Sequence, residues 1–163
     1  MTRSKGFTLI ELMVVLAILA IVAFIAVPSF TTLIRDNRVE AQAEELNALF
    51  QYARSEAVIR KIDTFITITP ATGEISVRPT SEINTEVLRT STVDLNTVSL
   101  DVSNTTVGYR FNGTTTVPGF EALLCSNGNV ESGRLLTVTG GGTTTLHNKG
   151  KKADGSDLGS CSL

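Results

Sequence analysis

Gly6-Phe7-Thr8-Leu9-Ile10-Glu11 is followed directly by LMVVLAILAIVAFIAV, in which every residue from Leu12 to Val27 is apolar. With Phe7, Leu9 and Ile10 the stretch reaches the ~20 residues that span a bilayer as a helix. Arg3 and Lys5 precede it and favour a cytoplasmic N-terminus. Arg35 and Arg38 beyond the other end weaken that bias. An ordinary secretory signal would be shorter, uncharged and closed by a small-x-small site. A plain membrane anchor would explain the length but not Glu11. A lone carboxylate in hydrocarbon costs about 3 kcal/mol on insertion scales. No Lys or Arg follows it within the apolar run. Glu11 lies one helical turn after Phe7. Cleavage before Phe7 would create an amine on that face, and the carboxylate could pair with it or with the same amine of a neighbouring chain. A processed and packed helix is therefore the most economical reading.

This segment resembles the type III signal of type IV prepilins and type II secretion pseudopilins. The matching pattern is a short basic leader, Gly6, Phe7, Glu11 at the fifth position after the glycine, then an apolar helix. The resemblance implies that a prepilin peptidase cuts between Gly6 and Phe7 and that Phe7 is N-methylated. It also implies that Glu11 serves subunit registration and that Pro28 kinks the helix. On its own terms, Pro28 could equally end the membrane helix. The run Leu49-Phe50-Gln51-Tyr52-Ala53-Arg54-Ser55-Glu56-Ala57 resembles the ARSEA stretch of the GspH/FimT (FimU-like) minor pilins and minor pseudopilins.

Helical periodicity resumes after Pro28. Leu46, Leu49, Phe50, Ala53, Ala57 and Val58 recur at spacings of three and four, with polar residues between them. Phe7 to about Arg60 is thus predicted as one helix, roughly 80 Å long at ~1.5 Å per residue. A small globular domain has no need of that length, whereas a fibre core does.

After Asp63 the sequence turns rich in Thr, Val, Ser, Gly and Asn. Thr64–Thr69 and Glu74–Arg78 read as a hairpin about Pro70-Ala71-Thr72-Gly73. Further strands are predicted at Glu86–Ser91, Thr97–Val102, Val107–Phe111, Glu121–Cys125, Arg134–Thr139 and Thr143–His147. The expected fold is α+β: a long kinked N-terminal helix packed on an antiparallel sheet or sandwich, which is also what the pilin resemblance implies. The expected organisation is a leader over 1–6, a transmembrane helix over 7–28, an amphipathic helix over 29–62 and a β domain over 63–163.

The chain has 163 residues, a formal net charge of -2 and two cysteines. Losing a leader with Arg3 and Lys5 makes the remainder more acidic, so general attraction to nucleic acid is not expected. Cys125 and Cys161, 36 positions apart, predict one disulfide in an exported domain. Two buried free thiols are the alternative. The bond would pin a polar, glycine-containing tail that begins at Lys149.

No catalytic, metal or cofactor site is expected. His147 is the single histidine, the cysteine spacing does not suit zinc, and Gly140-Gly141-Gly142 is followed by Thr143 rather than by a phosphate-loop lysine. His147, Lys149, Lys151 and Lys152 form a small basic cluster beside Asp154 and Asp157. In FimT-like DNA-receptor pilins a Gly-Arg-x-Arg motif stands near the C-terminus. Here Gly133-Arg134-Leu135-Leu136 lacks the second arginine, so DNA is a disfavoured partner.

The expected function is that of a minor pilin in the priming or tip complex of a type IV pilus. A GspH-like minor pseudopilin of type II secretion is the first alternative, and a FimT-like DNA-binding pilin the second. The expected partners are the prepilin peptidase, other minor pilins and the major pilin (or pseudopilins), the assembly platform and the inner membrane. The expected placement is single-pass in the inner membrane with a periplasmic C-terminal domain, before incorporation into the fibre.

Overall fold

The computed structural model describes residues 7–80, 86–126 and 128–163, without the side chains of 28 and 29. Helix α1 runs Leu9–Arg60. The chain divides into two compact units, residues 1–35 and 36–163. In the first, the described side chains from Phe7 to Ile34 are exposed, Phe24 at 85% and Ile10 at 68%. That surface carries the apolar run, and no described residue buries it.

In the second unit α1 turns one stripe inward: Val39, Ala43, Leu46, Phe50, Ala53 and Ala57 are all buried. The spacing of three and four predicted this face from Leu46 onward, and Val39 and Ala43 extend it toward the N-terminus. Val58, expected on the core face, is 46% exposed. It stands one position past Ala57, about 100° around the helix from the stripe. The helix ends at Arg60, and Lys61 beyond it takes the left-handed conformation (φ 54°) that usually falls to glycine after a last turn.

Eight strands follow: β1 Thr64–Thr69, β2 Glu74–Arg78, β3 Arg89–Thr92, β4 Ser99–Val102, β5 Thr106–Tyr109, β6 Gly119–Ser126, β7 Asn129–Thr139 and β8 Thr144–Leu146. They form two antiparallel four-stranded sheets, ordered β3-β2-β1-β5 and β4-β6-β7-β8. The predicted hairpin is present, with the Gly73 amide donating to the Thr69 carbonyl at 2.8 Å. β7 starts five residues before its predicted start because the turn at Gly128 carries the β6 pairing back to Asn129, opposite Ser126. Val130, Glu131 and Ser132 give no clean alternation to mark it.

Phe50 joins the sheets to the helix. Its ring lies 6.5 Å from that of Tyr109 on β5, edge-on, and 4.9 Å from that of Phe120 on β6. A smaller core lies on the other face of the second sheet. Ala122 and Leu124 belong to the helix-facing core, whereas Leu123 and Cys125 pack with Leu135 and Leu158. The period of two along β6 separates the sets. The tail from Lys149 covers the outer set, and a disulfide joins Cys125 to Cys161 with Cα atoms 6.0 Å apart.

Tyr109 is fully buried, with its hydroxyl 3.4 Å from Thr144 Oγ1. Burial pushes its phenol above the ordinary 10.0, opposed by the Thr144 contact and the nearby Arg54 charge. The neutral form is favoured in the folded state, so the contribution to stability is whole below pH 10.0 and lost as pH rises through the folded value. Tyr109→Phe removes this titration. Its urea midpoint is expected to fall less steeply than the parent's above about pH 10; parallel slopes would refute the assignment.

Candidate functional site: helix terminus and subunit surface

Thr8 and Glu11 form a reciprocal cap at the start of α1. The Thr8 amide and hydroxyl each donate to Glu11 Oε2 at 3.4 Å, and the Glu11 amide donates to Thr8 Oγ1 at 3.3 Å. This is the capping-box arrangement, and Thr8-Leu9-Ile10-Glu11 carries its sequence signature, Thr-x-x-Glu. Glu11 thus has neutral hydrogen-bond partners within its own helix, besides the Phe7 amine that cleavage would create. The carboxylate satisfies helix-end donors and sits at the positive end of the helix dipole. A terminal amine at Phe7 would add to that role. Phe7 is 87% exposed. Gly6 lies outside the described residues, as does the side chain of Pro28, whose backbone falls within α1.

The basic cluster is divided among internal contacts. His147 Nε2 lies 2.8 Å from Thr137 Oγ1, Lys149 pairs with Asp36 of α1, and Lys151 pairs with Asp157 at 2.6 Å. Lys152 sits beside the exposed Asp154, whose carboxyl is held below the ordinary range first by its Ser156 side-chain contact. Arg134 is mostly buried and pairs with Glu40 at 3.0 Å. Asp36 and Glu40, one turn apart, thus hold α1 to Lys149 and β7. Lys149, Lys151 and Arg134 thus each meet a carboxylate, and His147 a hydroxyl.

Arg54, in the ARSEA stretch, makes the corresponding tie near the C-terminal end of α1. Its Nε donates to the Gly113 carbonyl at 3.2 Å and one terminal nitrogen donates to the Gly141 carbonyl at 3.3 Å. One loop follows β5 and the other joins β7 to β8, so a single guanidinium links α1 to both sheets. Gly142 has φ +81° and sits against the Gly113 carbonyl. Among the described residues no group of His, Cys, Asp or Glu is placed to hold a metal ion.

An apolar, membrane-length helical segment with a capped acidic start, continued into a helix that packs on two antiparallel sheets, defines a membrane-anchored subunit of pilin type. Residues 1–27 match the prokaryotic N-terminal methylation motif, and residues 42–142 match the family described as type II transport protein GspH. The chain belongs to that GspH family, and so to the minor pilins and minor pseudopilins. The type IV minor pilin FimU of Pseudomonas aeruginosa shares 26% identity over 77% of this chain and 96% of its own, with a TM-score of 0.65. The minor pseudopilin EpsH of the Vibrio cholerae type II secretion system shares 13% identity over 72% of this chain and 98% of its own, at a TM-score of 0.58, a likeness of fold. No curated protein gives a significant match.

Proposed function

We propose that the chain is a minor pilin of a type IV pilus, a non-catalytic structural subunit of the priming or tip complex. The observation that carries this is the 26% identity to FimU across nearly all of that protein's solved chain. Family membership implies assembly with other pilins. In this reading a prepilin peptidase cuts before Phe7 and methylates it. The chain waits in the inner membrane with its sheets in the periplasm, and the assembly platform then passes it to a fibre containing the major pilin. The match of residues 42–142 to the GspH description favours, as a second reading, the same part in a type II secretion pseudopilus. Deletion decides between them: loss of surface fibres with intact secretion supports the pilus, and the reverse pattern supports the pseudopilus.

The Thr8–Glu11 cap sharpens the test of registration. Glutamine at the same position keeps a capping box but carries no charge. Glu11→Gln is expected to be processed normally and to fall at least tenfold in sheared fibres. Thr8→Ala, which loses the cap and keeps the charge, should be incorporated far better. Equal recovery of Glu11→Gln and the parent would leave Glu11 with only its local role.

A further inference from the structure

Beside the Arg54 tie lies an open cleft of about 550 Å³, in the size range of peptide and small-ligand pockets. Val58 and Ile59 wall it from the helix, and the Asn112-Gly113 and Gly142-Thr143 turns wall it from the sheets. Among the residues lining it Arg54 alone is charged. Arg54 is half-buried as a residue, and its guanidinium gives two donors to neutral carbonyls. No described carboxylate pairs with it, and its Nη1 has no described partner. Elsewhere along α1, Asp36 pairs with Lys149, Glu40 with Arg134 and Glu56 with Arg60. The cleft therefore holds one uncompensated positive charge, flanked by two apolar side chains exposed at 46% and 76%. A planar guanidinium favours a carboxylate over other anions of similar size when two of its N–H groups can reach it.

We propose that this cleft receives a segment of another pilin-type subunit that carries a carboxylate beside a branched apolar side chain. The carboxylate meets Arg54, and the apolar group packs on Val58 and Ile59. The proposal rests on the reading of the chain as a fibre subunit, and names the contact by which its sheet-bearing unit is joined to a neighbour. Arg54 is thereby both a tie within the subunit and the recognition group at its surface.

The test uses the full chain in detergent micelles and two probe peptides, acetyl-Leu-Glu-amide and acetyl-Leu-Gln-amide. The Gly113 and Gly142 amide resonances report occupancy. The Glu peptide is expected to shift both saturably, with at least tenfold weaker binding by the Gln peptide. Ile59→Glu places a competing carboxylate at the mouth on a side chain that is exposed in the parent, so the fold should survive. That variant is expected to lose the Glu-peptide response at least tenfold. Equal affinity for the two peptides, no response to either, or an unchanged response in Ile59→Glu would each overturn the proposal. The fibre reading is judged separately by the deletion and Glu11→Gln experiments, which do not depend on this cleft.

Discussion

Gly142→Ala is expected to lower the Tm of the full chain in mild detergent by roughly 10 °C, equivalent to about 2–5 kcal/mol. Two costs add. The backbone at Gly142 has φ +81°, a conformation that an L side chain adopts at about 1–2 kcal/mol. The new Cβ would also stand 1.9 Å from the Gly113 carbonyl oxygen, so backbone must move. That same oxygen accepts the Arg54 Nε–H, and the displacement loosens the tie between α1 and both sheets. Gly128→Ala is the control. Its φ is +73°, but nothing stands within 4 Å of an added Cβ, so only the conformational cost of about 1–2 kcal/mol remains. Equal Tm losses in the two variants, read by near-ultraviolet circular dichroism, would show that the steric contact contributes nothing.

Gly6→Ala should leave the chain uncut. The proposed peptidase acts on the bond between Gly6 and Phe7, and glycine is the one residue that presents no side chain beside a bond to be cut next to an apolar segment. A methyl group there is expected to reduce the processed form at least tenfold, with the precursor retained in the inner membrane. Intact mass of the membrane-extracted protein reads the result directly. The parent should lack residues 1–6, gain one methyl group and be two hydrogens lighter for the Cys125–Cys161 bond. The variant should keep its leader and its disulfide. A processed variant would falsify the cleavage assignment without touching the fold.

The helix and all eight strands were legible because their signals are local. The stripe through Leu46, Phe50, Ala53 and Ala57 and the alternation in Thr64–Thr69 need no knowledge of what lies opposite. Element ends were less so: β7 begins at Asn129 only because β6 pairs with it there. The two cysteines were far apart in sequence but limited to a single pairing, so the disulfide was accessible too. Arg54 was noticed as part of a family stretch, yet its partners are carbonyls 59 and 87 positions away, and carbonyls carry no sequence identity. Gly140-Gly141-Gly142 showed itself as a turn without showing which atom presses on it. The Thr8–Glu11 cap is different. Its signature was in plain view, obscured by treating Glu11 as a charge in lipid rather than as the third residue of a helix.

The bare apolar half of α1 has an energetic consequence. Lipid tails are as apolar as leucine, so moving Leu9 to Val27 from a bilayer into a bundle of like helices brings almost no hydrophobic gain. The segment is nearly indifferent between its two solvents. In the proposed fibre reading, a subunit would therefore leave the membrane without a large barrier set by its own apolar surface. Glu11 breaks the symmetry: even capped at the head of the helix its carboxylate is disfavoured in hydrocarbon, and in the proposed fibre a neighbour able to pair with it offsets that cost. In the proposed fibre, one carboxylate at the head of the helix would tilt that exchange toward the packed state.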